Sequence, residues 1–285
     1  MSKSNDNGRV LEYLIVNEII KVFGSKVSLS ENTIREQKRD FDKVPGVKEN
    51  VIKNMKLSTV KITTWIKSIV TYNNLFVERL IDGEGTNGDV TDIRISYGEE
   101  VLNLSIKHNH MALKHQRPMS TPQHFNFNKG SEIDVDFRKE YLLILEKFRN
   151  HVLSYKPNII LYKEVVDVIP ELLYLPICEL VSKFINKHGV ETSKSNHYLK
   201  FLVGNTNFKK VVVFPNSTIK IMSFDNIPQS HKTSSIVKNN SHIEVDFNNG
   251  IVLSMRLHTA SSRFSQNSLK FDTKTKIFDV PFIEL

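Results

Sequence analysis

Two aspartates and a lysine carry the chemistry this chain could do. Asp89 and Asp92 open one apolar-alternating stretch and Lys107 ends the next, within GDVTDIRISYGEEVLNLSIKHNH. A Gly-rich turn at Gly83, Gly85 and Gly88 leads into the aspartates. The segments 90–97 (VTDIRISY) and 101–107 (VLNLSIK) read as antiparallel strands joined by Gly98-Glu99-Glu100. In the second strand Leu102, Leu104 and Ile106 share one face, and Asn103, Ser105 and Lys107 the other. Three polar groups in a row must find partners if that face is covered. Carboxylate and ammonium groups on one sheet edge can hold Mg2+ against a phosphate and activate a water, so the stretch is a candidate nuclease centre.

Phosphodiester hydrolysis needs an in-line water, a divalent ion and a cation near the nucleophile. Asp89 or Asp92 supplies the principal carboxylate in this reading, and Lys107 orients or helps deprotonate the water. A second carboxylate usually stands two positions before that lysine, where this chain has Ser105. Glu12, on the first helix, is the candidate replacement, with Glu18 behind it. On spacing alone, such a pattern more often marks a solvated hairpin edge with a turn aspartate.

The elements that must position these groups follow from periodicity. Residues 8–23 place Val10, Leu11, Leu14, Ile15, Ile19, Val22 and Phe23 on one helical face, with Gly24 and Ser25 as a stop. Residues 47–71 read as helix in two pieces, 75–80 as a short strand and 111–131 as a loop broken by Pro118 and Pro122. Helices are expected at 136–153 and at 176–188, where Pro176 suits the first turn. After His197 the segments YLKFLVG, KKVVVF, STIKIMSF, SHIEVDF and GIVLSMRLH read as strands, the last two joined by an Asn248-Asn249-Gly250 turn. The order predicts an α/β (α+β) fold with a core over 1–205 and a β-rich region over 206–285 packed on it.

Composition narrows the class. The chain has 285 residues, 40% of them hydrophobic, which allows one large domain or a core with a lobe. No window offers the ~18 apolar residues of a membrane span, and MSKSNDNGR lacks the apolar run of a secretory signal behind its charges. Cys178 is the single cysteine, which excludes an internal disulfide and a thiolate cage, and its apolar helical setting marks it as a packed residue. A cytoplasmic protein is expected. The net charge of +8 favours a polyanion partner without proving one.

The wording of several segments goes further. GDVTDIRI, LNLSIKHNH, ALKHQRP, RLHTASSR at 256–263 and LKFDT at 269–273 resemble the HaeIII-type restriction endonucleases. GRVLEY and FLVGNTN at 201–207 are similar to that family too, so the resemblance runs in order over nearly the whole chain. It implies a PD-(D/E)xK nuclease: a central mixed sheet flanked by helices, with Mg2+ at one end. It also implies cleavage of double-stranded DNA at GGCC, in a restriction–modification system beside a cytosine methyltransferase. The family match carries over Asp89, Asp92 and Lys107, with Asp89 ranked ahead of Asp92, and makes Ser105 a departure that Glu12 would repair.

A GGCC site offers guanine O6 and N7 acceptors and cytosine N4 donors in the major groove. Lys114, His115, Gln116 and Arg117 form one donor-rich loop, and Arg256, His258, Thr259, Ser261, Ser262 and Arg263 another. Asp272 could accept from a cytosine amino group or cap a turn. Either segment could instead be a solvated basic loop. His108-Asn109-His110 spells HNH without being that motif, and a zinc site from His108, His110 and His115 lacks a fourth ligand. A palindromic site suits a homodimer, a monomer that nicks twice being the other solution. Two functions outside this reading are a DNA-binding module with a degraded site and a structure-specific repair nuclease.

Overall fold

Most of the helical face read in 8–23 is buried, with Phe23 partly buried and Val22 exposed at its end. In α1 (Lys3–Phe23) Val10, Leu11, Ile15 and Ile19 are inaccessible to solvent. They pack with Met55, Ile62 and Ile66 of α3 (Glu49–Ile69) and with the inward residues of a sheet. Burying one such side chain contributes about 1.5–3 kcal/mol, so this cluster dominates local stability. The computed structural model describes residues 3–70, 74–80, 89–265, 268–278 and 280–285, with side chains from Asp6 onward. Gly83, Gly85 and Gly88 lie outside the described residues.

That sheet is mixed and seven-stranded. Its strands are β1 (Val27–Leu29), β2 (Leu75–Arg79), β3 (Ile93–Tyr97), β4 (Glu100–His108), β6 (Phe208–Val213), β7 (Ile219–Phe224) and β12 (Phe282–Glu284), paired in that order. The β1–β2 and β4–β6 pairs are parallel and the others antiparallel. The expected 90–107 hairpin is β3–β4, with Ile93 opposite Leu104 and Ile95 opposite Leu102. Gly98, at φ +60, supplies the left-handed residue of its turn. As the sequence implied, this is a mixed α/β fold whose central sheet is flanked by helices.

The second sheet has five strands: β5 (Lys114–Gln116), β11 (Leu269–Ile277), β10 (Val252–Thr259), β9 (His242–Asp246) and β8 (Ser234–Asn239), in that order. One face buries Ile243, Val245, Leu253, Met255, Leu257, Leu269 and Phe271. With this sheet belong α4 (Thr121–His124), α5 (Glu132–Tyr155), α6 (Leu175–His188) and α7 (Thr192–Val203). Cys178 is buried in α6, and burial pushes its thiol up to about 12.

Compactness divides the chain into 1–111 with 204–227 and 280–285, and 112–203 with 228–279. The division expected at 205/206 is not where these units part. Strand β6 pairs with β4, so the chain after 205 completes the first sheet, whereas helices from 112–203 belong with the second. Local readings also changed. The 47–71 segment is one continuous helix, preceded by an unforeseen α2 (Glu31–Phe41), and 111–131 contains β5 and α4. YLKFLVG is helical: Ser195, Tyr198, Leu199, Leu202 and Val203 are its buried positions, a three–four spacing that no strand satisfies. Among the described residues no helix is long and apolar enough to cross a membrane.

Candidate active site

Asp92 sits just before β3, tied to both neighbouring strands. Its N–H donates to Leu104 O at 2.8 Å, and Leu80 N donates to its carbonyl at 3.1 Å. This anchoring aims its carboxylate at the end of β4. There Oδ2 accepts from Ile106 N at 2.6 Å, Lys107 Nζ at 2.9 Å and Ser105 Oγ at 3.3 Å. The alternation of β4 explains why Ser105 and Lys107 arrive together: they share the face opposite Leu104 and Ile106. Ser105, in the position where a carboxylate was expected, is buried and serves Asp92 as a donor.

Glu12 reaches the same locality from α1. Its Oε2 lies 2.7 Å from Arg79 Nη2, and its side chain is 16% exposed. Burial first, and then the charge of Asp92, push this carboxyl up to about 7, against the opposing pull of Arg79 and Lys107. Glu12, Asp92 and Lys107 thus act on one another electrostatically. Glu18 is elsewhere occupied, accepting from Lys21 at 3.1 Å on its own helix.

Asp89, ranked ahead of Asp92 in the sequence, has other partners. Its Oδ1 accepts from Thr91 N at 2.9 Å in a local turn, and its Oδ2 pairs with Arg94 Nη2 at 2.7 Å. Arg94 also donates to Asn103 at 3.0 Å. Asp89 therefore neutralises an arginine, and the proposed ligand set of Asp89, Asp92 and Glu12 is not assembled. Among the described residues no three His, Cys, Asp or Glu side chains form a group that could hold a metal, which also removes the zinc reading of His108, His110 and His115.

Two carboxylates suffice for Mg2+, which takes its remaining positions from water and substrate oxygens. The donor set here fits that demand. Among the described residues, the hydrogen bonds to Asp92 converge on Oδ2, and the one to Glu12 falls on Oε2. Asp92 Oδ1 and Glu12 Oε1 accept none from the described residues. A cation between them would relieve the repulsion that helps raise Glu12.

Sequence reasoning missed the residues behind Glu12. Arg79, 2% exposed, donates to Gln37 Oε1 at 3.0 Å and Asp40 Oδ2 at 2.8 Å besides Glu12. Burial alone would raise Asp40, but hydrogen bonds from Arg39, Lys43 and Arg79 together hold it well below the usual carboxylate range. The signal was in LFVERL: Arg79 continues the inward phase of Leu75 and Val77, and an arginine there must have acidic partners.

The residues proposed to read DNA lie in the second unit. Asp272 of β11 stands opposite His115 of β5 and Arg256 of β10. His115 Nδ1 approaches Asp272 Oδ1 at 2.6 Å, His258 Nε2 at 3.0 Å, and Arg256 Nη2 is 3.5 Å from Oδ2. Burial opposes this charge, yet the hydrogen bond and charges of the two histidines bring Asp272 down to about 2. Asp272 is mid-strand and caps no turn. Arg256 is exposed, as are Arg117, Ser262 and Arg263. Arg117 donates to Ser268 Oγ at 2.6 Å. Lys114 is half-buried with Nζ 3.9 Å from the Phe201 ring centre, and burial brings it down to about 8. Gln116 is the correction: it is 4% exposed on the inner face and donates to Met255 Sδ at 3.3 Å.

A family model described as HaeIII restriction endonuclease matches residues 8–238. The chain is 25% identical, over 312 aligned positions, to the type II restriction enzyme HaeIII of Haemophilus aegyptius, covering 96% of this chain and 94% of that protein. No solved structure matches.

Proposed function

The chain belongs to the HaeIII restriction endonuclease family, nucleases whose substrate is DNA, and from that premise we propose a Mg2+-dependent type II enzyme of the PD-(D/E)xK kind that cuts duplex DNA at GGCC. The observation that carries this is the convergence of Ile106 N–H, Ser105 and Lys107 on one oxygen of Asp92, with Glu12 alongside. A working hydrolytic centre needs that combination of carboxylates and cation, and a solvated hairpin edge does not.

In this reading Asp92 and Glu12 hold the divalent ion, Glu12 taking the place that Ser105 vacates. The bound cation supplies a more acidic water and neutralises charge on the phosphate. Asp92 is kept in place by the β4 backbone, so its free oxygen is presented without reorganisation. Lys107 orients the attacking water and donates toward the scissile phosphate. Glu12 would hold the ion as a carboxylate, the form that an adjacent positive charge favours.

Recognition is assigned to the β-rich region. Arg256, His258, His115, Arg117, Ser262 and Arg263 offer donors to guanine edges and phosphates, and Lys114 adds positive charge. Gln116 is left out because it faces the interior. A GGCC palindrome is matched by a two-fold homodimer, and a host carrying this enzyme needs a cytosine methyltransferase that protects the same site. Digestion of a plasmid of known sequence, with Mg2+ and then with EDTA, tests the proposal when the ends are mapped. Discrete Mg2+-dependent fragments ending within GGCC are expected. Intact plasmid despite specific binding would leave a DNA-binding module, and cutting without regard to GGCC would point to a structure-specific nuclease.

A further inference from the structure

A glutamate on a helix surface has several rotatable bonds, and one carboxylate of a metal pair must not wander. Nothing on α1 itself holds Glu12. Among the described residues its carboxylate has one hydrogen-bonding partner, Arg79. That guanidinium is held through both terminal nitrogens: Nη2 lies between Glu12 Oε2 at 2.7 Å and Asp40 Oδ2 at 2.8 Å, and Nη1 donates to Gln37 Oε1 at 3.0 Å, while its buried Nε has no partner among the described residues. The main chain of Arg79 is clamped as well, its N–H donating to Thr33 Oγ1 at 2.7 Å and its carbonyl accepting from Asn32 Nδ2 at 2.7 Å. Gln37 in turn donates to Tyr13 O and Asn17 Oδ1, both at 3.1 Å, on α1.

The charges say that this assembly is more than a structural ion pair. Asp40 is fully buried and already faces Arg39 at 2.8 Å and Lys43 at 2.7 Å, so its charge is compensated several times over. Asp40 therefore does not need Glu12 for its balance, while Arg79 shares Asp40 with those two cations and has Glu12 as its other acidic partner. What Arg79 does for Glu12 is hold one oxygen and leave the other, Oε1, unengaged among the described residues.

We infer that Arg79, braced by Asp40 and Gln37, is the positioning residue for Glu12: it fixes the Glu12 carboxylate beside Asp92 so that both present an oxygen to one divalent cation. The inference rests on Glu12 being the second carboxylate of the proposed site. Arginine is required because its planar fork serves Glu12, Asp40 and Gln37 together, which a lysine ammonium cannot do in the same geometry.

The test compares Arg79→Lys, Asp40→Asn and Gln37→Met with Glu12→Gln, alone and doubled. Mn2+ binding by the DNA-free protein is measured by calorimetry, alongside cleavage with Mg2+ and thermal unfolding. Partners that orient metal-binding side chains are worth about 10–100-fold in affinity or activity. Losses in that range are expected for both readouts in each single variant, with no further loss when any is added to Glu12→Gln. Asp40→Asn and Gln37→Met touch neither Glu12 nor the cation, so either one carries the test if Arg79→Lys does not fold. Wild-type Mn2+ binding in the folded variants, or losses that add to those of Glu12→Gln, would overturn the inference. Wild-type Mn2+ binding and cutting by Glu12→Gln itself would instead remove Glu12 from the site.

Discussion

Replacing Glu12 by glutamine should make the metal-free protein more stable at high pH while abolishing cleavage. The unfolded chain ionises this side chain near the ordinary value of 4.5, whereas the folded protein keeps its proton until about 7. Between these values the native state binds the additional proton, so stability falls as pH rises. The contribution is fully present below 4.5 and lost as pH rises through about 7. At roughly 1.4 kcal/mol per pKa unit, the difference amounts to about 3 kcal/mol. Urea unfolding in EDTA at a series of values from about pH 4 to about pH 9 measures it directly. The stability of wild type relative to Glu12→Gln should drop by about 3 kcal/mol across that range, because other titrating groups cancel in the comparison. Mg2+ works in the opposite sense, since a cation favours the ionised form. Its stabilising effect should grow with pH in wild type and not in Glu12→Gln. A stability difference that does not change with pH would refute the reasoning, because it would mean that Glu12 ionises alike in the folded and unfolded chains.

The two aspartates should separate cleanly. Asp92→Asn and Lys107→Ala are expected to lose cleavage, the latter by about 10²–10⁴-fold, while binding to GGCC with Ca2+ is retained. Wild-type cutting by either removes that residue from the mechanism. Asp89→Asn breaks only the pair with Arg94, so it should keep cutting and lose no more than about 1 kcal/mol of stability; loss of cleavage with normal stability would restore Asp89 to the site. On the second sheet, Arg256→Ala should lower discrimination for GGCC by about 1–3 kcal/mol per lost base contact. Gln116→Ala should cost a comparable amount of folding stability and leave discrimination unchanged. Competition binding against mismatched duplexes reads both, and an unchanged ratio for Arg256→Ala reduces it to a surface charge.

Elements set by local pattern were legible in the residues alone. The buried stripe of α1, the β3–β4 hairpin and the phase of Asn103, Ser105 and Lys107 follow from periods of 3.6 and 2 that a reader can count. The strand reading of YLKFLVG failed because apolar content was weighed without its spacing: Tyr198, Leu199, Leu202 and Val203 recur as a helix requires. Within the site, Asp92, Lys107 and Glu12 could be named as candidates from residue type, but the choice between Asp89 and Asp92 could not. Asp89 pairs with Arg94, whereas Ile106 N–H and Lys107 meet at Asp92 Oδ2, and the proposal favours Asp92 on that ground. The placement of Gln116 on an inner face was likewise invisible, since a three-residue strand has too short a pattern to show its phase. Fold class and candidate chemistry are properties of short stretches, and the sequence by itself determined them. Which carboxylates meet, and which guanidinium holds them, was decided only by tertiary structure. Glu12, Asp40 and Arg79 come from separate helices and a strand, and what brings their charges together is the burial of the elements that carry them.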